Sequence, residues 1–361
     1  MTKQDEIQQN HLLNLLNHYK EENKQALAHL SIRYGKTKLS CALLRGLFSY
    51  DQTTLIAYPD NKIREVWESE CLKWGYSNPN ITYVNFSSLW KYEDKVFDMV
   101  VCDEVHELSE NQLDILHIII TNDRNIKFLG LSGTISKETQ QRIGIPIVVE
   151  YSTSSGIEDK ILADYRITVH SVDLDTRIKT LNKKGKLLSE KQRYDNYSFV
   201  INRMRKNGDN SMHLALARNR LSLSSIGKME YVRKLLLQLN GKRTLVFTGL
   251  AKVADDIGIP SYHSKSPSDL DYRMFLEEKY HQLALAAIGK TGVTYPNLDC
   301  VILLNFTYNA EESSQVLFRS LKLDYKEKCA DLHLITLNEP PEIKKVKESL
   351  SMLDKTKITY L

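Results

Sequence analysis

The sequence is short of several things that would have narrowed its class at once. It has five cysteines, Cys41, Cys71, Cys102, Cys300 and Cys329, and no two form a CxxC pair. That spacing argues against a zinc site. An odd count in scattered apolar contexts fits reduced core thiols in a reducing cytosol. Long apolar runs are missing too: stretches such as Ile118 to Ile120 are far too short to span a bilayer. The opening MTKQDEIQQN is polar and carries acidic residues, unlike a signal peptide. A soluble, cytoplasmic protein without a membrane partner is therefore expected (host cytoplasm if the source is viral). Charge of one sign is scarce as well: 49 Lys and Arg face 45 Asp and Glu, a net +4, which by itself does not imply nucleic acid. His11, His18 and His29 lack partners at metal-ligand spacing. No short-period repeat appears.

What is present reads as an α/β protein. At 361 residues the chain is long enough for two domains of roughly 100–200 residues each. Residues 5–30 predict a helix or helix pair, with Ala26 to Leu30 open to a second reading as a buried strand. Strands are predicted near 53–58, 81–86, 97–102 and 126–131, with amphipathic helices between them, one carrying Ile63, Val66, Trp67, Cys71 and Trp74. That alternation argues a doubly wound parallel sheet. From Asp173 to Arg220 strand signals fade and basic residues crowd, with Tyr194, Tyr197 and Phe199 interleaved; this predicts a helical insert or arm. The α/β pattern then restarts, with a helix through Met229 and Leu239, strands near 244–248, 282–288, 300–306 and 332–337, and a charged helix over 342–354.

Three short motifs follow predicted strands in the first half. Gly35-Lys36-Thr37 lies between a strand and a helix. A triphosphate needs backbone N–H donors, a cation and a hydroxyl for the metal, and a glycine loop at a helix N-terminus supplies the donors. The cation is Lys36 and the Mg²⁺ hydroxyl Thr37. The strict G-x-x-x-x-G-K-[ST] pattern wants its first glycine where Leu30 stands, so the loop is imperfect and equally reads as an ordinary turn. Asp103-Glu104-Val105-His106 follows an apolar strand, so its carboxylates emerge where ligands bind in doubly wound folds. Asp103 is the candidate for Mg²⁺ and Glu104 for orienting and deprotonating water. Ser132-Gly133-Thr134 follows the next strand, with hydroxyls placed to couple nucleotide state to nucleic acid, or as a plain turn.

The order GKT, Tyr58-Pro59, DEVH, SGT resembles the superfamily-2 helicases. The segment LIAYPDNKIREVWESECLKW is similar to their Swi/Snf-type and restriction-helicase branch, and IRYGKT resembles small phage-encoded members with Arg at the position of Arg33. In the second half, Leu245 to Thr248 resembles motif IV, and Lys290 to Asp299, with Gly292 and Thr294, resembles motif V. Residues 315–322 align with QxxGRxxR: Gln315 and Arg319 match, Phe318 replaces the glycine and Lys322 the last arginine. The resemblance implies two RecA-like domains in tandem, here 1–155 and 226–361, around a linker and basic helical insert at 156–225. It implies ATP and Mg²⁺ as cofactors, with Arg33, Tyr34, Gly35, Lys36, Thr37, Lys38, His106 and Gly292 around the nucleotide. Asp103, Glu104, Gln315, Arg319 and Lys322 become the catalytic set, and Ser132, Thr134 and Thr294 the coupling residues. His106 would bridge the nucleotide site to the second domain. The implied partner is nucleic acid, DNA in preference, handled by a monomer in replication, recombination or repair, with replication or recombination proteins as possible partners. Lys322 keeps charge but loses the planar fork of arginine. A slow or non-hydrolysing DNA-binding factor is therefore the rival reading. A terminase-like packaging ATPase and a nucleoside kinase fit less well.

Overall fold

In a computed structural model of the chain, the described residues are 2–21, 24–31, 34–48, 52–76, 78–123, 125–181, 185–286, 295, 298–304, 329–351 and 353–361. Two compact units divide them after Leu162.

The first unit is built on a six-stranded sheet in the order β3-β2-β4-β5-β1-β6. Its strands are β1 (Gln25–Leu30), β2 (Thr54–Tyr58), β3 (Ile81–Asn85), β4 (Met99–Cys102), β5 (Lys127–Ser132) and β6 (Ile147–Tyr151), and every pair is parallel. A parallel strand is covered on both faces and reads as an apolar run. Accordingly β2 and β4 are buried throughout. Alternate residues feed two cores. Ala26, Ala28, Leu30, Ile56, Met99, Val101, Leu129 and Leu131 pack with α1 (Lys3–Lys20), α2 (Lys36–Leu47) and α3 (Asn61–Lys73). Leu27, Leu55, Val100, Cys102 and Phe128 pack with α4 (Glu110–Thr121) and the 3-10 turn Phe86–Tyr92 on the other face. The short helices α5 (Lys137–Ile143) and α6 (Thr153–Glu158) complete the unit.

Of the two readings open for residues 26–30, the strand is adopted. Helix α1 stops at Lys20, and β1 lies between β5 and β6, where its backbone groups are bonded on both sides. Tyr19, the last buried residue of α1, donates its hydroxyl to the Phe128 carbonyl at 2.6 Å, which anchors the helix end to β5.

The second unit carries a seven-stranded parallel sheet, β11-β12-β10-β13-β14-β7-β15. The strands are β7 (Tyr165–Val172), β10 (Thr244–Thr248), β11 (Ser261–His263), β12 (Gln282–Ala286), β13 (Cys300–Leu303), β14 (Ala330–Leu337) and β15 (Ile358–Tyr360). Helices α9 (Ile226–Gln238) and α10 (Ala251–Asp256) cover one face. Also present are α11 (Leu270–Leu276) and α12 (Pro340–Ser349). The segment read as a basic helical insert opens with β7, which pairs with β14 over eight residues. It continues with a separate two-stranded ribbon, β8 (Lys179–Leu181) and β9 (Leu187–Ser189), and with helices α7 (Glu190–Lys206) and α8 (Met212–Leu223). Buried Glu190 ties this segment down: its carboxylate accepts from the Asp175 and Ile226 N–H groups, each at 3.0 Å, and from the Ser225 hydroxyl at 3.1 Å. Among the described residues no helix is long and apolar enough to cross a membrane.

Where β7 meets β14, His170 Nε2 lies 2.9 Å from His333 Nδ1, and the Tyr231 hydroxyl lies 2.7 Å from His170 Nδ1. The facing nitrogens cannot both carry a proton, so this chain requires His333 Nδ1 to stay an unprotonated acceptor whenever His170 Nε2 donates. Burial lowers both pKa values, and for His333, where the His170 charge and Lys242 add to burial and Asp331 opposes it, the value falls to about 4. The unfolded chain then binds more protons than the fold between pH ~6.5 and ~4, so stability is lost as pH falls through that window. Titration of His333 alone is expected to remove on the order of 2–3 kcal/mol. Urea unfolding from pH 7.5 to 4 checks this: His333→Gln should flatten the slope, and an unchanged slope refutes it.

Candidate active site

Strand order in the first unit decides which loops meet. Strand β5 separates β1 from β4, so the loops after all three emerge side by side at one sheet edge. The loop after β1 turns into α2 at Gly35, which has φ +91° and is the residue before the first helical turn. That backbone conformation favours glycine, and a Cβ there would lie 2.7 Å from Gln8 Nε2, so the glutamine side chain would have to move. Helix α2 thus points its free N–H groups and positive dipole end at the edge where the β4 and β5 loops also arrive.

Lys36, the first residue of α2, reaches across the end of β5 and donates to Glu104 Oε1 at 2.6 Å. Glu104 holds φ +51°, the left-handed region that favours glycine, which turns its carboxylate back toward Lys36 rather than outward. Its other oxygen lies 3.6 Å from His106 Nδ1 and accepts from the Gly133 N–H at 3.4 Å. The Ser132 hydroxyl lies 2.8 Å from His106 Nδ1, donates to the Thr134 carbonyl at 2.7 Å and accepts from the Thr134 N–H at 3.2 Å. Arg142 donates to the His106 carbonyl at 3.1 Å. Lys36 of GKT, Glu104 and His106 of DEVH, and Ser132, Gly133 and Thr134 of SGT therefore form one polar cluster.

Asp103 is held separately. Fully buried Trp67 donates its indole N–H to Asp103 Oδ2 at 2.9 Å, and the Glu104 N–H is donated to Oδ1 at 3.0 Å. Burial, with the Glu104 charge adding to it, pushes the Asp103 carboxyl up to about 6 against the pull of Lys36 and Trp67. Glu104 shifts the other way. Burial would raise it, but Lys36 first and then His106 hold it below the ordinary carboxylate range. Lys36 is lowered by burial and raised by Glu104 and Asp103, and the carboxylates prevail. Two adjacent carboxyls with pKa values driven apart are a signature of functional sites.

The neighbouring loop residues are engaged with α1. The Tyr34 hydroxyl lies 2.6 Å from His11 Nδ1, and its ring packs on His11 and Tyr151. Lys38 pairs with Asp5 at 2.7 Å. Gln4 and Gln8 both donate to the Tyr34 carbonyl, and Gln8 Oε1 is buried without a hydrogen-bond partner. The sequence reading passed over these two glutamines. The available signal was a polar side chain at position 8, one helical face from Leu12 and Leu15. Arg33, Gly292, Thr294, Gln315, Arg319 and Lys322 lie outside the described residues.

No protein-family model and no curated protein matches this chain. Solved structures do match it in fold. An ATP-dependent Type ISP restriction-modification enzyme, LlaBIII bound to DNA, superposes with TM-score 0.62 over 98% of this chain at 13% identity; the chain spans 31% of that protein's length. The Hef helicase domain of Pyrococcus furiosus gives TM-score 0.53 at 12% identity, covering 94% of this chain and 97% of that one. Saccharomyces cerevisiae Dbp5 bound to RNA and ADP BeF3 gives 0.55 at 8% identity, covering 94% and 85%. The chain shares with these structures a fold of two α/β units, each built on a parallel sheet.

Proposed function

We propose that the protein is an ATP-dependent nucleic-acid helicase or translocase of the DExH type. Its place would be on DNA, in replication, recombination or repair, in the cytoplasm. The observation that carries this reading is the Lys36–Glu104 contact of 2.6 Å at the N-terminus of α2. It joins the phosphate-binding motif to the acidic motif at one sheet edge, the arrangement that NTP hydrolysis needs.

ATP would place its terminal phosphates on the α2 N–H groups beside Gly35. The phosphate oxygens then compete with Glu104 for the Lys36 ammonium. A released Glu104 carboxylate is free to orient a water and take its proton. His106 and Ser132 contact that carboxylate's surroundings directly, so a change at Glu104 is felt in the SGT loop. The site also suits Mg²⁺. Asp103 is a buried carboxylate whose charge is disfavoured by burial, a cost that a cation offsets, and the Thr37 hydroxyl has no partner among the described residues. Asp103 and Thr37 would hold the ion, which supplies neutralisation of phosphate charge. On the second domain Arg319, with Gln315 and Lys322, would reach the γ-phosphate, and Gly292 and Thr294 would contact nucleotide and strand, as the family resemblance implies.

The test is ATP turnover by the purified protein with Mg²⁺, alone and with single-stranded DNA, duplex DNA, forked DNA and RNA, at several salt concentrations. Stimulation by DNA that weakens steadily with salt is expected. ATP binding without turnover under any condition would refute the motor and favour a non-hydrolysing DNA-binding factor.

A further inference from the structure

The seven-stranded sheet ends at β15, and among the described residues no strand lies beyond it. Backbone groups along a strand alternate between its two sides, so every second residue of an edge strand lacks a partner there. The bonds to β7 fix which residues these are. The Leu361 N–H is donated to the Val169 carbonyl at 2.8 Å, and the Leu361 carbonyl accepts from the Ser171 N–H at 3.0 Å. Leu361 therefore faces β7 with both groups, and Tyr360, one residue earlier, turns its N–H and C=O to the open side. The strand is firmly held. Three of its residues pair with β7 in register, and Lys357 is paired with Asp164. The Asp354 carboxylate caps the turn before the strand, accepting from the Thr356 N–H at 2.9 Å.

A groove of about 640 Å³ lies beside this edge, within the size range of ligand-binding clefts. Helix α12 lines it with Ile343, Lys347 and Leu350, spaced four and three apart and so on one face of the helix. The strand side contributes Lys355, Ile358 and Tyr360. Ile358 and Tyr360 are two residues apart and share a face of the sheet. The groove is thus apolar, with a cation on each side. Other lysines nearby are engaged: Lys344 pairs with Glu348 at 3.7 Å, and Lys357 with Asp164. Lys347 and Lys355 have no carboxylate partner among the described residues.

An extended peptide answers all of these features at once. Its backbone can pair with the N–H and C=O of Tyr360, adding a strand to the sheet. Its alternate side chains then point to one face and enter the groove, where apolar ones gain burial. Carboxylates on the same segment meet Lys347 and Lys355. A second copy of this chain is a poorer occupant. Edge-to-edge pairing of two copies would bring two more lysines of the same sign to the interface, and lysines beside an edge strand work against self-pairing. The charge therefore selects an acidic segment of another protein over a copy.

We propose that the β15 edge and its groove dock an extended, acidic and apolar segment of a partner protein by strand addition. The proposal does not depend on the helicase reading. The probe is a displayed library of short random peptides, selected on the wild-type protein after depletion on a variant carrying Lys347→Glu, Lys355→Glu and Tyr360→Pro. Selected sequences should alternate apolar residues and carry Asp or Glu. Made as fluorescein-labelled peptides, they should bind the Lys347→Glu, Lys355→Glu protein about tenfold or more weakly than wild type. Tyr360→Pro removes the outward N–H, a change that edge strands tolerate, and should weaken binding about fivefold or more. Tyr360→Phe keeps both N–H and ring and should bind as wild type does. Unfolding temperatures of the variants should stay near that of wild type. Failure to enrich peptides after depletion overturns the proposal, as does enrichment of peptides without carboxylates. Binding indifferent to Tyr360→Pro also overturns it, and leaves a groove ligand that adds no strand. A dimer in sedimentation that Tyr360→Pro dissolves would make the occupant a second copy, and so refutes the partner segment.

Discussion

Glu104→Gln is expected to reduce nucleic-acid-stimulated ATP turnover by about 10²–10⁴-fold, the usual worth of a positioned general base, while ATP binding survives. The amide cannot take the proton of an attacking water, but it still accepts a hydrogen bond from Lys36. The effect on folding should be much smaller, because two changes oppose one another. The Lys36–Glu104 pair stabilises the fold at neutral pH. Glu104 has a lowered folded pKa, so its contribution is present above the unfolded value and is lost as pH falls through the folded one. Lys36 has a raised folded pKa, so its contribution is present below the unfolded value and is lost only in alkali. Removing the Glu104 charge forfeits that pairing. It also relieves Asp103, whose carboxyl is pushed up by burial and then by this neighbour. Lys36→Ala lacks the compensation. It leaves two adjacent carboxylates without their cation, so ATP binding and turnover should both fall. This variant should also regain stability on acidification toward pH ~6, as the raised carboxyl takes a proton. Radiolabelled ATP binding, turnover and thermal unfolding of the two variants separate these outcomes. Wild-type turnover in Glu104→Gln would remove Glu104 from the chemistry.

The cluster of GKT, DEVH and SGT was legible because each motif follows an apolar strand, and strand ends in a parallel sheet converge. Trp67 was visible as a Trp on the helix after β2, but its bond to Asp103 depends on β2 and β4 being neighbours, which local periodicity does not encode. The left-handed Glu104 was not legible at all, since nothing in DEVH advertises a positive φ. Strands β6, β7 and β15 were passed over for a related reason. β6 and β15 lie at sheet edges, and β7 joins its sheet through β14, some 165 residues later in the chain. Alternation was present in Tyr165–Val172, where Tyr165, Ile167 and Val169 are buried between more exposed residues. Its partner was too distant in sequence for a local pattern to announce it. The charge crowding of 177–220 drew attention to helix and arm and away from the ribbon inside it.

Lys228→Met is expected to raise the stability of the second unit at pH 7. Lys228 lies in the first turn of α9, 1% exposed, and among the described residues its ammonium finds one distant acceptor, the Leu304 carbonyl at 3.5 Å. Burial pulls its pKa down to about 8, with Lys345 adding to the pull and Glu342 and Glu190 resisting it. Between that value and the unfolded 10.5 the unfolded chain binds the extra proton, so the fold gains stability as pH rises through this window and bears the full cost below it. Methionine fills the same volume without a charge. The gain should be on the order of 1–3 kcal/mol at pH 7 and should shrink steadily from pH 8 to pH 10. Urea unfolding at pH 7, 8.5 and 10 checks both magnitude and trend. A variant less stable than wild type at pH 7 would mean that the ammonium is better satisfied than its one long hydrogen bond implies. The cost of keeping a lysine there bears on function through its position. Its acceptor closes β13, at the sheet edge where strands of a parallel fold present ligand-binding loops. A stabilised Lys228→Met protein with reduced DNA-stimulated turnover would show that the buried charge serves the motor rather than the fold.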